Sequence, residues 1–271
     1  MCLLVLSWQA HSRYRLVVAA NRDEFHERPA APMAKWPEPL SILAGRDLRA
    51  NGTWLALDRQ RRFGVVTNFR DLQKPQPGAP SRGSLIPRYL SGPATAGEFL
   101  ANLELEAGAY SGFNLLLAEP DSLWYASNRA DPLAVPAPAG NSFRRPLTAG
   151  IYGLSNQFLD TPWPKLRRVR RRFEAWLTAL RGSASTEELF AILDDRTRVE
   201  SDADLPRTGV SAEWERILSA PFVLHPDYGT RCSSVLLLEH SGACVLIERR
   251  FDRHGALNGE SKWQLQAGEW P

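Results

Sequence analysis

Apolar residues fall in short blocks separated by polar and proline-rich stretches. Leu3, Leu4, Val5 and Leu6 form one block, and Leu16 to Ala20 form a second. With only His11, Ser12 and Arg13 at the join, residues 3–8 and 14–20 read as two strands of a hairpin. Asn21-Arg22-Asp23-Glu24 ends the second strand, and Pro29, Pro32, Pro37 and Pro39 predict a surface loop after it. Asn51-Gly52 marks a turn before a strand over 53–57, with which 63–69 pairs. Pro75, Pro77, Gly78, Pro80 and Gly83 make residues 71–84 a connector. Helical patterns follow near 84–90 and 95–107, then strands at 113–118, at 123–127 and around 152–155.

The strongest helical period is Leu166, Val169, Phe173, Trp176, Leu177 and Leu180, opened by Thr161 as N-cap and Pro162 at the first helical position. A further helix near 185–194 starts with Ser185 and Glu188 at capping-box spacing. Strands at 232–239 and 243–250, turning at Ser241-Gly242, predict a closing hairpin. There is no internal repeat. Strand blocks alternating with helix blocks predict an α+β protein in which mainly antiparallel sheets stack with helices outside them. The absence of βαβ alternation argues against a doubly wound parallel sheet.

The 271 residues are consistent with one domain spanning 1–271, and the 44% hydrophobic content suits a packed core. A net charge of +3 makes no case for nucleic-acid binding. No run is apolar enough for a stable membrane insertion, and the N-terminus lacks a basic segment with a signal-type apolar run. Three cysteines, Cys2, Cys232 and Cys244, without zinc spacing, suggest reduced thiols and a cytoplasmic location. No G-x-G-x-x-G, Walker A, H-E-x-x-H or G-x-S-x-G element occurs, and the five histidines lack metal-ligand spacing. The expectation is a site that requires no cofactor and no metal.

Cys2 reads in two ways. It is a small hydrophobe opening a core strand, or, once Met1 is removed, a residue carrying both a thiol and a free α-amine. The amine, with an ordinary pKa of about 7.7–8.0, can take the proton of a thiol with a pKa of about 8.5. Polar residues sit at several other strand ends: Asn21 to Glu24, Thr67-Asn68, Ser155-Asn156 and Thr230-Arg231. Each suits a turn. Together with Cys2 they hold what amide hydrolysis needs: amide donors for an oxyanion in Asn68 and Asn156, a cation near the sulfur in Arg231, and a carboxylate for the amine in Asp23. Asp23 and Arg231 on these terms would bias Cys2 toward an ammonium–thiolate zwitterion.

Met1-Cys2 with Asn21-Arg22-Asp23-Glu24 resembles the NRDE family, the transport and Golgi organisation 2-like proteins. The resemblance runs on through Ala44-Gly45-Arg46-Asp47, Gly52-Thr53-Trp54-Leu55, Thr67-Asn68-Phe69-Arg70, Ser81-Arg82-Gly83 and Gly112-Phe113-Asn114-Leu115-Leu116. It resumes in Tyr152 to Asn156, Leu159 to Lys165, Leu205 to Val210 and Tyr228-Gly229-Thr230-Arg231. It implies one N-terminal-nucleophile hydrolase-type domain, a four-layer αββα sandwich. Bile salt hydrolases and penicillin V acylases of that superfamily use an N-terminal Cys, an Asp after the second strand, two Asn and a late Arg, and Cys2, Asp23, Asn68, Asn156 and Arg231 stand in similar places. Asn21, Arg22, Glu24 and Asn114 are the accompanying binding candidates. Ala20 stands where those acylases resemble one another in an arginine, and strand alternation sends Arg22 to the opposite face from Asn21 and Asp23.

The implied activity is hydrolysis of a linear amide or related acyl bond in a small-molecule substrate. The alternative is a non-catalytic protein handling haem, a lipid or acyl-CoA on the same fold. Lys165, Arg167, Arg168, Arg170, Arg171 and Arg172 bear on that choice. They form either a solvated helix face or a site for an anionic ligand such as a phosphate, a haem propionate or a lipid head group.

Overall fold

Nearly continuous burial along the first two strands sets the frame for the N-terminal residue. In chain order the first strands are β1 (Cys2–Trp8), β2 (Tyr14–Phe25), β3 (Ala30–Lys35), β4 (Ile42–Asp47), β5 (Leu55–Asp58) and β6 (Phe63–Asn68). Helices α1 (Leu85–Ser91) and α2 (Ala96–Glu104) follow, then β7 (Phe113–Ala118), β8 (Leu123–Ser127), β9 (Arg144–Leu147) and β10 (Gly150–Leu154). The chain continues with α3 (Pro164–Ala179), α4 (Thr186–Leu193), α5 (Ala212–Ile217), β11 (Tyr228–Glu239), β12 (Cys244–Phe251) and β13 (Leu257–Leu265). The computed structural model describes residues 2–71, 78–130, 143–180 and 184–271, so part of the 71–84 connector lies outside the described residues.

Two compact units result. One comprises Met1–Glu27, Ala149–Ser155 and Leu159–Glu269, and the other Arg28–Thr148, Asn156–Phe158 and Trp270–Pro271. The first unit holds a six-stranded antiparallel sheet in the order β10-β1-β2-β11-β12-β13. Because side chains alternate along a strand, Leu3, Val5, Val17, Ala19, Val235, Leu237 and Ile247 share one face. They pack there with Leu166, Val169 and Phe173 of α3 and Leu189 and Leu193 of α4. Gly153 permits the close approach of α3, since a Cβ there would lie 2.8 Å from the Leu166 side chain. Leu4, Leu6, Leu16, Val18, Leu236 and Leu246 on the opposite face are equally buried. Burial on both faces explains the continuous apolar runs in place of simple alternation.

The second unit holds a seven-stranded antiparallel sheet in sequence order, β3 to β9. Ile42, Ala44, Ala56, Val66, Leu115, Leu117 and Ala126 pack against Leu85, Ile86 and Tyr89 of α1 and Leu100 and Leu103 of α2. The helix α2 opens with a complete capping box between Thr95 and Glu98.

The expected α+β class with mainly antiparallel sheets is what the chain forms. Several local expectations change. Asn21-Arg22-Asp23-Glu24 does not end β2 but lies inside it, because β11 pairs alongside as far as Tyr228↔Phe25. Thr230-Arg231 likewise lie within β11 rather than before it. The proline-rich segment after residue 29 contains β3, an edge strand, where Pro32 costs no ladder bond in the middle of a sheet. The strands β4, β9 and β13 and the helix α5 are additional, so the closing hairpin is a three-stranded meander. The helix α3 starts two residues later than expected, with Trp163 as N-cap and Pro164 in the first turn, and Ser185 caps α4 without a side-chain bond.

Candidate active site

Register decides what surrounds Cys2. The antiparallel pairs Cys2↔Arg22, Arg22↔Cys232 and Cys232↔Arg250 put these four residues on one face of the six-stranded sheet. The next set, Leu3↔Asn21, Asn21↔Ser233 and Ser233↔Arg249, points to the helix-covered face. Arg22 therefore stands directly across from the candidate nucleophile. The Ser155 hydroxyl donates to the Cys2 carbonyl oxygen at 3.1 Å and ties down the strand end.

Cys2 is only partly buried as a residue, whereas Cys232 and Cys244 are buried. Burial of its sulfur is nevertheless the main influence and pushes the thiol above its ordinary range. The charged N-terminus pulls it back most, the Asp23 carboxylate pushes it up, and the Arg22 guanidinium and the Asp23 backbone N–H, which donates to the sulfur, lower it further. With its thiol pushed up by burial, Cys2 depends on a base for its nucleophilicity. Cys232 is pushed up further by its burial and by Glu248, with which its thiol is hydrogen-bonded.

Asp23 is 1% exposed and held from two sides. The Thr230 hydroxyl donates to its Oδ1 at 2.7 Å, and the Tyr228 hydroxyl donates to its carbonyl oxygen at 2.9 Å. The pairing then slips between Thr230↔Asp23 and Cys232↔Arg22, leaving Arg231 as the extra residue of a β-bulge. Its Nη1 donates to the carbonyl oxygens of Phe25 (3.0 Å) and His26 (3.1 Å). Burial lowers its pKa, as does the like charge of Arg22, against the opposing pull of Cys232 and Glu24. Arg22 is thus the arginine set directly across from Cys2, and the bulge at Arg231 brings its guanidinium to the carbonyls at the end of β2. Glu24 is half-buried, and its Oε1 accepts the backbone N–H of Phe25.

The asparagines divide by environment. Asn21 does not face Cys2: its Nδ2 donates to the carbonyls of Leu193 (2.9 Å) and Pro221 (3.0 Å), and its Oδ1 accepts the Ser233 hydroxyl at 2.6 Å. Asn114, read as a binding residue, is fully buried in the second unit and likewise spent on its own fold. It donates to Gln157 O and Thr67 Oγ1 and accepts the Tyr125 hydroxyl at 2.7 Å. Asn68 and Asn156, 88 positions apart, are brought together within that unit. The Asn156 Nδ2 donates to the Asn68 carbonyl at 2.8 Å, and the Asn156 carbonyl accepts the Arg70 N–H at 2.7 Å. The Asn156 Oδ1 is buried without a hydrogen-bond partner among the described residues.

Sequence reasoning gave Thr230 and Tyr228 no role of their own and passed over Glu248. Glu248 carried a signal: an acid after Val245-Leu246-Ile247 in a core strand, and it is 1% exposed. Among the described residues no group of three His, Cys, Asp or Glu could hold a metal ion, and no helix is long and apolar enough to cross a membrane. The basic face of α3 is largely tied up. Arg168 pairs with Asp195 at 2.7 Å, Arg170 with Asp160 and Glu174 at 2.8 Å, and Arg172 donates to Ala191 O.

The family model described as Transport and Golgi organisation 2 matches residues 1–253. The chain belongs to this family. The Transport and Golgi organization protein 2 homolog of Bos taurus is 31% identical and that of Homo sapiens 30%, each match covering 92% of this chain and of the relative. The NRDE resemblance thus extends over almost the whole chain. Among solved structures, the Caenorhabditis elegans N-acylethanolamine-hydrolyzing acid amidase ortholog overlays with a TM-score of 0.43 and 10% identity, covering 87% of this chain and 92% of that one.

Proposed function

We propose that this member of the Transport and Golgi organisation 2 family is a cysteine N-terminal-nucleophile hydrolase that cleaves a linear amide or related acyl bond in a small molecule. The observation that supports this most is the register Cys2↔Arg22 at the first residue of β1, with Asp23 next along β2. It sets a cation on the face of the sulfur, with a carboxylate on the adjoining residue of β2 whose charge also acts on the thiol.

In this reading Met1 is removed and the α-amine of Cys2 takes the thiol proton as the sulfur attacks the acyl carbon. Arg22 favours the developing thiolate, and the Asp23 carboxylate orients the amine, which as ammonium then protonates the leaving group. A thioester remains on Cys2. Water, deprotonated by the same amine, hydrolyses it and returns the thiol. The need for a base follows from the raised thiol pKa. Amide donors for the oxyanion are what the family resemblance, and not a contact in the structure, attributes to Asn68 and Asn156.

Intact-mass analysis followed by an acylating activity probe tests the reading. The expected result is protein beginning at Cys2 that gains one thioester-linked acyl group, lost in Cys2→Ser. Retained Met1 in functional protein, or acylation that survives Cys2→Ser, would overturn it in favour of a ligand-carrying role.

A further inference from the structure

The segment Tyr228-Gly229-Thr230-Arg231 contributes more to the site than its arginine. Thr230 and Val223 are joined twice: the Thr230 N–H donates to Val223 O, and the Val223 N–H donates to Thr230 Oγ1, both at 2.9 Å. Gly229 makes this approach feasible, because a Cβ there would stand 2.8 Å from Val223 O.

A threonine hydroxyl carries one proton. A backbone N–H can only donate, so the bond from Val223 uses the oxygen as acceptor and leaves that single proton for Asp23 Oδ1, 2.7 Å away. The polarity of the chain Val223 N–H to Thr230 to Asp23 is therefore fixed by its first member. The Tyr228 hydroxyl holds the Asp23 main chain through its carbonyl at 2.9 Å. Both the backbone and the carboxylate of Asp23 are set by this one segment. The bulge that follows at Arg231 lets Thr230 stay opposite Asp23 while Cys232 stays opposite Arg22.

We propose that Thr230 is a positioning residue, which holds the Asp23 carboxylate in the orientation from which it acts on the amine and thiol of Cys2. The proposal rests on the reading of Cys2 as the nucleophile. Its test is the pH profile of Cys2 alkylation by iodoacetamide in the processed full chain, compared for wild type, Asp23→Asn, Thr230→Val and Thr230→Ser, with thermal melts alongside.

Asp23→Asn removes a negative charge near the sulfur and shifts the profile to lower pH. Thr230→Val, isosteric but without the hydroxyl, is expected to shift it the same way and to change the neutral-pH rate roughly 3- to 10-fold. Thr230→Ser, which keeps the proton, restores the wild-type profile. Thr230→Ala replaces the valine variant should that variant not fold. A lower melting temperature with an unmoved profile in Thr230→Val, while Asp23→Asn shifts, would overturn the positioning role and leave the nucleophile reading intact. An unmoved profile in Asp23→Asn would overturn both.

Discussion

The side-chain amide of Asn156 donates to the main-chain carbonyl of Asn68 at 2.8 Å, joining the start of the segment after β10 to the end of β6. The same Asn156 accepts the Arg70 N–H through its own carbonyl. One of its two amide protons is therefore committed to the framework, which makes its structural role separable from the oxyanion role that the family resemblance implies.

Asn156→Ala is accordingly expected to do two separable things. It leaves the Asn68 carbonyl without that donor, at a cost of about 1–3 kcal/mol in denaturant unfolding. It also lowers kcat by roughly 10²–10³ with a smaller effect on KM. Loss of stability with unchanged turnover per folded molecule would confine Asn156 to the framework.

Arg22 and Arg231 differ in what they face. The Cys2 thiol already titrates above the ordinary value of about 8.5 because of burial, and Arg22 holds it back. Arg22→Gln should move the alkylation midpoint to higher pH and slow labelling at neutral pH. Arg231→Gln, which removes a guanidinium seated on the Phe25 and His26 carbonyls, should move it less. Equal shifts in the two variants would contradict the assignment of Arg22 as the cation beside the sulfur.

Asn21→Ala should act on stability instead of chemistry. It strips three hydrogen bonds from a buried position and leaves the Leu193 and Pro221 carbonyls and the Ser233 hydroxyl to find new partners. A loss of about 2–4 kcal/mol in urea unfolding is expected, with Cys2 reactivity per folded molecule unchanged.

Asp195 gives the fold a pH dependence of known sign. Against the upward push of its burial, the Thr197 backbone N–H and hydroxyl and the Arg168 and Arg172 guanidinia hold its carboxyl below the ordinary range. A depressed carboxylate contributes stability that is complete above its unfolded pKa, about 3.9, and is lost as pH falls through the folded value. Asp195→Asn should lower stability at neutral pH and flatten the acid limb of a pH–stability curve. Because the Arg168 and Arg172 side chains that face Asp195 are themselves partly exposed, the effect should shrink in high salt.

Much of this protein follows from local pattern. The blocks Leu3 to Leu6 and Leu16 to Ala20 dictate β1 and most of β2, since an apolar run of that length bounded by polar residues buries itself as a strand, and the period of Leu166, Val169, Phe173 and Trp176 dictates α3. The thiol at the start of β1 and the NRDE motif are likewise properties of the chain read in line. Alternation even places Arg22 opposite in sense to Asn21.

What no local pattern contains is which strand lies alongside and in what register. That choice places Arg22 against Cys2 and keeps Asn21 to Phe25 extended when Asn and Asp by themselves favour a turn, because β11 supplies the ladder bonds and Ser233 and Thr230 supply buried partners. The bulge at Arg231 exists only as a mismatch between two strands, so the destination of its guanidinium could not be read from residues 228–231 alone. The carbonyls that hold Asn21 come from 172 and 200 positions away. A hydrogen bond to a buried polar group is required by burial itself. The identity of its partner is settled only when tertiary pairing brings distant segments within about 3 Å.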